Sequence, residues 1–575
     1  MKMPSPFTLL TIFSLVSFSI IILPANTDAY SLPERLVRST AELRNHTAIS
    51  EFRVVNRRQL INCPDPNPYL GVSASSNASL SDDGYITVNI TGVLVPSRNH
   101  WVAMISPSHS NKKECKMVAG KCVVKTCAAA LTFHVVNIRT DIEFVMFSGG
   151  FNTPCILRRS DPVSFANPNR PLYAHLSSVD STATSMRLTW VSGDKIPQQV
   201  KYGSDGIANS SVSTFSQADM CAGSGRLGCP AADFGWHDPG YIHSALITGL
   251  HPSSSYTYKY GSNSVGWSNV ITLKTPAAGG SDELRFLAYG DMGKAPLDSS
   301  VEHYIQPGSV SVTKAMAEEV SSGSVDSIFH IGDISYATGF LVEWDFFLHL
   351  INPLASRVSY MTAIGNHERD YGGSGSVYIT PDSGGECGVP YETYFPMPTP
   401  AKDKPWYSID QGPVHFTVIS TEHTFSPDSE QYEWMSKDMA AVNRTRTPWL
   451  IFTGHRPMYT SSPGIPILPN VDRQFVDAVE PLLLASKEKC KGMPKKDGNG
   501  VDTYDNSNYT APVHAIIGMA GFKLDDFTQD DNSWSLVRIL EFGYIRAHAT
   551  KHDLHVEFVN AVSRKVDESF RIIKR

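Results

Sequence analysis

The sequence has little charge and few long apolar stretches, and each shortage excludes a class of protein. Only 18% of its 575 residues are charged, the formal net charge is −7, and neither a basic run nor an acidic tail occurs. We therefore expect neither a nucleic-acid-binding surface nor a solvating acidic arm. The hydrophobic share of 41% is typical of a globular chain and excludes wholesale disorder. At about 100–200 residues per domain, the length allows roughly three cores.

One apolar run approaches membrane-spanning length, and it lies close to the N-terminus. Lys2 precedes the apolar residues 7–23, and the small residues 27–29 follow, which is the pattern of a cleaved secretory signal. A membrane anchor is the alternative, but Thr and Ser interrupt the run. No second run of that length follows. We expect a secreted, extracellular protein of the cell wall or apoplast, with no membrane contact after removal of the signal.

Cysteines and glycosylation signals suit a secretory route. The cysteine count is 9, so in an oxidising compartment we expect disulfides and at least one thiol without an intramolecular partner. Cys221 and Cys229 enclose a short loop and are predicted to pair. Zinc binding is the alternative for Cys115, Cys122 and Cys127, but no His or Cys pair follows at finger spacing. The predicted N-glycosylation sites are Asn45, Asn77, Asn89, Asn209, Asn443 and Asn508.

The pattern of apolar residues changes once along the chain. Short β-type runs between Ser, Asn and Pro clusters extend from about residue 50 to residue 277, which predicts two all-β modules. Trp190 and the turn that contains Tyr256 and Tyr258 resemble the buried Trp and the tyrosine corner of fibronectin III-like sandwiches. Further along, strands are predicted at 284–289, 327–331, 359–364, 414–420 and 449–453, and helices at 313–321, 430–442 and 471–487. Alternating strands and helices indicate an α/β domain with a substantially parallel or mixed sheet.

Four of these strands run into a Gly followed by polar residues. The clusters are Gly-Asp291-Met-Gly, Gly-Asp333-Ile-Ser-Tyr336, Gly-Asn366-His367-Glu and Gly-His455-Arg456-Pro. A single Gly-Asp is an ordinary turn, but four such strand ends in one α/β domain predict a shared cleft that holds metal ions.

The types of side chain indicate which ions suit this cleft. Asp291 and Tyr336 offer anionic oxygens that are appropriate to Fe³⁺, whereas Asn366 and His455 offer neutral donors to a divalent ion such as Zn²⁺, Mn²⁺ or Fe²⁺. Asp333 stands between the two sets as the expected bridge. Two adjacent cations can clamp a phosphate ester and acidify a bound water, which indicates a phosphoesterase.

From about residue 50 onwards the chain resembles the plant purple acid phosphatases of high molecular weight. The resemblance rests on the four clusters above and on residues 512–519, and Asp333-x-x-Tyr336 is its most specific part. It implies fibronectin III-like β-sandwich modules followed by an α/β metallophosphoesterase domain with a mixed sheet core. It also implies Asp291, Asp333 and Tyr336 on iron, and Asp333, Asn366 and His455 on the divalent ion.

The same resemblance implies roles around the substrate and a division into domains. It implies that His367 would face the substrate as a catalytic residue, and we expect Asn366 to help bind the phosphate. A histidine pair that some relatives carry shortly after this region is absent, and our hypothesis is that Arg456 supplies positive charge to the phosphate instead. The expected segments are a signal peptide (1–29), an N-terminal all-β Fn3-like domain (30–168), the family's N-terminal fibronectin III-like domain (169–278), a calcineurin-like metallophosphoesterase domain (282–510) and the family's C-terminal segment (511–575).

One motif of the family does not occur in this sequence. Relatives carry Gly-His-x-His after the helix that follows His455, with one His for each ion, and the sequence contains no such motif. The comparison with the family implies that about 20 residues are absent between Leu484 and Lys491. Losing a ligand of each ion is expected to weaken both, and losing a strand is expected to expose a sheet edge. Cys490 is a candidate for a cysteine whose partner lay in the absent stretch.

These observations lead to two hypotheses. The first is an acid phosphatase that hydrolyses small phosphate monoesters by attack of a metal-bound hydroxide. The alternative is a truncated or spliced, non-catalytic glycoprotein that retains the scaffold as a binding module. The sequence leaves open whether the chains form a homodimer.

Overall fold

The architecture comes from a computed structural model of the chain. It describes residues 61–574 apart from 65–66, 76–78, 109–114, 119–127, 151–152, 222–228, 234, 463–469, 486–493, 506–511 and 528–534. The predicted signal peptide, Asn45, Asn77, Asn508 and Cys490 lie outside the described residues. Within the described part of the chain, no helix has the length and apolar character that crossing a membrane requires.

The first module is a sandwich of two antiparallel sheets, with strand orders β1-β2-β5 and β4-β3-β6-β7. Along β2 the residues Ile86, Val88 and Ile90 are buried and alternate with more exposed neighbours, as in a strand with one face against a core. The strands are β1 (Gly71–Ala74), β2 (Asp83–Thr91), β3 (Trp101–Ile105), β4 (Cys115–Val118), β5 (Ala129–Val136), β6 (Glu143–Ser148) and β7 (Cys155–Arg159).

The second module contains the predicted fibronectin III-like features. Trp190 is fully buried, and the Tyr256 hydroxyl accepts a hydrogen bond of 2.9 Å from the backbone N–H of His251, which is the tyrosine corner that the turn predicts. The strands are β8 (Leu172–Ser178), β9 (Met186–Ser192), β10 (Gln199–Tyr202), β11 (Gly206–Asn209), β12 (Ser211–Ser213), β13 (Tyr241–Ile247), β14 (Ser255–Ser262), β15 (Gly266–Trp267) and β16 (Ile271–Lys274). A 3₁₀ turn at Gln217–Asp219 and the short helix α1 (Pro230–Asp233) lie between β12 and β13.

The third part is the predicted α/β domain. Its strands are β17 (Glu283–Tyr289), β18 (Ser327–Ile331), β19 (Ser359–Ala363), β20 (Tyr407–Gln411), β21 (Val414–Val418), β22 (Trp449–Thr453), β23 (Lys495–Lys496), β24 (Asp502–Asp505), β25 (Gly543–Thr550), β26 (Asp553–Asn560) and β27 (Val566–Ile573). Its helices are α2 (Ser309–Ser321), α3 (Val342–Ala355), α4 (Asn366–Arg369), α5 (Val389–Tyr394), α6 (Glu430–Ala441) and α7 (Arg473–Ala485).

The α/β domain has a mixed sheet, as expected. Strands β17, β18 and β19 run parallel, and β25 is antiparallel to β17. These strands belong to a 12-stranded sheet that continues through β8 into the second module. Strands β18 and β19 are wholly buried, and β17 is buried apart from Glu283 and Arg285, which fits their largely apolar sequences. Their carboxyl ends lie along one edge of the sheet, so the clusters that follow them meet there.

A smaller sheet, β20-β21-β22, ends at β22. Among the described residues, β22 pairs only with β21, and four of its five residues are half-buried. This strand is an edge of the kind that the absent Gly-His-x-His segment leads us to expect.

The predicted disulfide between Cys221 and Cys229 is wrong. Cys221 is bonded to Cys387, 166 positions along the chain, with a Cα–Cα distance of 5.9 Å. The Cys229 thiol instead donates to the carbonyl oxygen of Cys221 at 3.1 Å. The prediction relied on the short separation of Cys221 and Cys229 in the sequence. In the fold, the turn before α5 lies against this loop and brings Cys387 next to Cys221. A second disulfide joins Cys63 to Cys155. Because Cys387 is bonded to Cys221, it has no thiol with which to form a disulfide to another chain.

Candidate metal centre

The predicted metal ligands all lie just beyond the carboxyl ends of strands. Asp291 follows β17, Asp333 and Tyr336 follow β18, Asn366 begins α4 after β19, and His455 follows β22. Asp291, Asp333 and Tyr336 have positive φ angles of 58°, 51° and 53°, a region that residues other than glycine seldom adopt, although Asp tolerates it better than Tyr. Three such residues in one small region indicate that the surrounding packing holds a strained backbone in place.

Glycines around these residues allow the strand ends to approach closely. A Cβ atom added to Gly332 would lie 2.4 Å from Nδ1 of His455. One added to Gly365 would lie 2.3 Å from Oδ1 of Asp333, and one added to Gly518 would lie 2.6 Å from Oδ2 of Asp291. Because these distances are below any van der Waals contact, each glycine is required by the presence of a ligand side chain next to it.

The candidate ligands converge on one point. The Tyr336 hydroxyl donates to Oδ1 of Asp291 at 3.0 Å. Nε2 of His455 lies 3.2 Å from Oδ1 of Asp333 and 2.9 Å from Oδ1 of Asn366. Donor atoms of Asp291, Asp333 and His455 all lie within 4.8 Å of one another. The structure therefore brings together all five residues that the sequence predicts as ligands.

Burial shapes the electrostatics of this cluster. Burial, together with the Asp333 carboxylate, raises the pKa of Asp291 to about 6, although His455 opposes the shift. Burial also raises the pKa of the Tyr336 hydroxyl well above its ordinary value, with a further contribution from Asp291. For Asp333, burial is outweighed by His455 and His367, which hold its pKa below the usual range. Buried acidic groups placed this close together form a site that a cation would stabilise.

His455 carries the main positive charge in the cluster. Its Nδ1 lies 3.3 Å from the carbonyl oxygen of Ile331, and its Nε2 faces Asp333. Burial lowers the pKa of His455, but the Asp333 carboxylate outweighs this effect and raises it to about 10.

His367 lies beside the cluster, and its role toward a substrate stays a prediction. Its ring packs against Tyr336 with a centroid separation of 4.4 Å, and its Nε2 is 3.7 Å from Oδ2 of Asp333. Its backbone N–H donates to the other oxygen of Asp333 at 3.0 Å. Nδ1 of His367 is buried and has no hydrogen-bond partner among the described residues.

Arg456 lies beside the cluster but is held by carboxylates. Its guanidinium donates to Glu422 at 2.9 Å and to Asp370 at 2.7 Å, and it stacks on the Tyr378 ring at 4.0 Å. Burial and the neighbouring Glu422 raise the pKa of Asp370 to about 8, which places a protonatable carboxyl next to this guanidinium. The predicted role of Arg456 in phosphate binding stays a prediction.

Sequence reasoning missed three supporting carboxylates. Asp382 accepts a hydrogen bond of 2.9 Å from Nδ2 of Asn366, which turns the Asn366 carbonyl oxygen toward the centre. Glu368 accepts from the backbone N–H groups of Ile334 and Gly365, at 2.8 and 3.0 Å, and so joins two ligand loops. Glu422 holds Arg456. Glu368 follows the Asn366-His367 pair directly, which was a usable signal, whereas no local pattern marks Asp382 or Glu422.

Other histidines do not join the cluster. His548, on β25, faces Glu283 at 3.0 Å. The ring of His514 packs edge-on against Tyr459, with centroids 5.3 Å apart. His423 lies 2.8 Å from the Ser420 hydroxyl. None of the three takes the place of the His residues that the absent motif would supply.

Four family models match the chain. They are Fn3-like domain from Purple Acid Phosphatase (residues 117–167), Purple acid Phosphatase, N-terminal domain (171–275), Calcineurin-like phosphoesterase (284–484) and Iron/zinc purple acid phosphatase-like protein C (511–569).

Relatives and a solved structure agree with these matches. The chain is 34% identical over 535 residues to "Probable inactive purple acid phosphatase 27" of Arabidopsis thaliana, covering 83% of this chain and 85% of the relative. It is 32% identical to a "Nucleotide pyrophosphatase/phosphodiesterase" of Hordeum vulgare, covering 54% of this chain and 88% of the relative. The crystallised purple acid phosphatase PPD1 from yellow lupin (Lupinus luteus) seeds superposes with a TM-score of 0.79 at 30% identity, covering 88% of this chain and 96% of that one.

Proposed function

We propose, because the chain belongs to the purple acid phosphatase family, that it hydrolyses small phosphate monoesters at a two-metal centre under acidic conditions. The observation that carries this proposal is the convergence of Asp291, Asp333, Tyr336, Asn366 and His455 on one point. A shared metal centre requires that these side chains, which follow separate strands, lie close enough to contact the same ions.

The donor set suits two ions of different hardness. The Tyr336 hydroxyl lies 3.0 Å from Oδ1 of Asp291, and these two residues would hold Fe³⁺ together with Asp333. Asn366 and His455 would hold the divalent ion, with Asp333 as the shared ligand. When bound, such ions supply Lewis-acid charge to the phosphate and lower the pKa of water. Tyr336 fits the trivalent ion because its buried hydroxyl loses a proton only beside strong positive charge.

The protein's own groups position the substrate and handle protons. Asp382 orients the Asn366 amide, so that its carbonyl oxygen stays in the cluster. His367 presents an imidazole at the rim whose Nδ1 is unpartnered among the described residues, and this ring would bind the phosphate or protonate the leaving oxygen. Arg456 would add positive charge if a phosphate displaced one of its carboxylates.

A specific observation supports the second candidate function, a non-catalytic scaffold. No Gly-His-x-His motif occurs in the sequence, so each ion has one protein ligand fewer than the family pattern. Three relatives at 31–34% identity carry the name "Probable inactive purple acid phosphatase".

Metal content and turnover, measured together, separate the two. The purified full-length protein is assayed for phosphate release from an aromatic phosphate monoester in acidic buffer, and its iron and zinc are counted per chain. We expect bound iron, phosphate release, and loss of both in Asp333→Asn, with exposed Asp205→Asn as the matched control. A protein that binds both ions but releases no phosphate contradicts the proposed hydrolysis. A protein with neither metal nor turnover supports the scaffold.

We infer that the chain is secreted and N-glycosylated. Two disulfides, the signal-like N-terminus and the exposed positions of Asn89, Asn209 and Asn443 support this inference. Mass spectrometry of the protein from the culture medium should give an N-terminus near Tyr30 and glycan on these three residues. Unmodified Asn at all three positions would contradict the glycosylation.

A further inference from the structure

We propose that Asp83, His134 and His349 form a second metal site, distinct from the phosphoesterase centre, which takes a divalent ion of the zinc class. Asp83 begins β2 and His134 lies on β5, both in the first module, whereas His349 lies on α3 of the α/β domain. A metal bound here would connect the first module to the α/β domain.

The three side chains point at one another as ligands do. Nε2 of His134 is 2.7 Å from Oδ1 of Asp83, and Nε2 of His349 is 3.3 Å from Oδ2 of the same carboxylate. One donor atom from each residue lies within 4.8 Å of the other two. In a tetrahedral zinc site with bonds of about 2.0–2.2 Å, donor atoms are about 3.3–3.6 Å apart. A small movement of the side chains is enough to admit the ion.

The exposure of the three side chains suits a metal site with fixed imidazoles and an open path for the ion. The His134 side chain is only 4% exposed and His349 is 22% exposed, so both imidazoles are held by packing. Asp83 is 57% exposed, which opens a path for the ion and leaves room for water as a further ligand. Two imidazoles and one carboxylate are donors that suit zinc and similar transition metals.

Neighbouring groups hold the two imidazoles in position. The Tyr85 ring lies 5.2 Å from the His134 ring, and Tyr173 meets the His349 ring edge-on at 5.9 Å. The backbone N–H of His134 donates to the Asp298 carboxylate in the α/β domain. Supporting contacts of this kind fix ligand orientation in metal sites. An ordinary pair of imidazole–carboxylate ion pairs is the competing explanation, and it requires no affinity for metal.

Zinc binding tests the proposal in the full-length protein. The background carries Asp333→Asn, so that the phosphoesterase centre is disabled in every sample. We expect His349→Gln to bind one zinc ion per chain fewer, or to bind it at least about tenfold more weakly, in a calorimetric titration. Zinc should also raise the unfolding temperature of the background protein more than that of the variant, because the ion binds the folded state.

A matched control and a second variant make the outcome decisive. His548→Gln removes an imidazole that faces Glu283 at 3.0 Å and that belongs to neither candidate metal cluster. It should leave zinc binding unchanged. Asp83→Asn, at an exposed position, should reproduce the loss even if His349→Gln folds poorly. Equal zinc binding by the background protein, His349→Gln and Asp83→Asn would overturn the proposal.

Discussion

The charge on His415 makes a testable contribution to stability. This residue lies on β21, with Nδ1 2.6 Å from Asp410 on β20 and Nε2 3.1 Å from Asp438 on α6. Hydroxyl groups of Ser408 and Thr417 donate to Asp438 at 2.5 and 2.7 Å. Both ring nitrogens face carboxylates, so the doubly protonated imidazolium is the form that fits.

The size of the effect follows from the pKa. Burial lowers the pKa of His415, but the hydrogen bonds to Asp410 and Asp438 outweigh burial and raise it from 6.5 to about 9. Because a shift of one pKa unit corresponds to about 1.4 kcal/mol, the protonated His415 contributes at most about 3 kcal/mol to the free energy of unfolding. The folded protein holds the proton more tightly than the unfolded chain. The stabilisation is therefore complete below about pH 6.5 and disappears as the pH rises through about 9.

Replacement of His415 by Gln removes the titrating group but retains a polar side chain. We expect the free energy of unfolding of the natural protein to exceed that of His415→Gln by about 3 kcal/mol near pH 6, and by little near about pH 9.5. Urea unfolding followed by tryptophan fluorescence measures this difference, and Trp449 lies opposite Val414 on the neighbouring strand. His548→Gln is the control. A difference of the same size at both pH values would refute the argument.

Two further predictions concern packing and buried charge. Gly365→Ala should reduce bound iron and zinc by about tenfold or more while the fold persists, because the added Cβ would lie 2.3 Å from an Asp333 oxygen. Gly372→Ala is the control: a Cβ there would have no atom within 4 Å, so the metal content should stay unchanged. Asp345→Ala should lower the free energy of unfolding in urea by about 3–5 kcal/mol, because the buried Arg139 loses the carboxylate that it binds at 2.7 and 2.8 Å. The double variant with Arg139→Met should lose less of this free energy, because it leaves no unpaired buried charge. Equal losses in the single and double variants would exclude the unpaired charge as the cause.

Much of the fold could be predicted because local patterns and tertiary packing agree. The predicted strands at 327–331 and 449–453 match β18 and β22 residue for residue, since short, mainly apolar runs ended by Gly are typical of strands. Helix α3 was not predicted, because polar residues such as Glu343 and Asp345 are buried in it together with the apolar ones, so no polar face marks its solvent side. The partner of Cys221 was not predictable either, because 166 residues separate the two cysteines.

The ligands of the metal centre could be predicted because each follows a strand and a glycine. Their supporting residues could not, since Asp382 and Glu422 reach the site from loops that only the tertiary fold brings near. The second site illustrates the same limit. Asp83 and His134 lie on paired strands, but His349 comes from a helix more than 200 positions further along the chain.

The absent Gly-His-x-His segment connects the site to the edge of the smaller sheet. Strand β22 delivers His455 and, among the described residues, has a neighbour on one side only. A strand that carried the absent motif would pair with this edge and place its histidines beside His455, because parallel strands deliver their carboxyl ends to one edge. We therefore expect the gene to contain, between the codons of Leu484 and Lys491, an in-frame segment of about 20 residues that encodes Gly-His-x-His. Sequencing the locus and its transcripts checks this, and restoring the segment should increase the bound metal. A locus with no such segment would show that the shortened form is the only product, and the scaffold function would then be favoured.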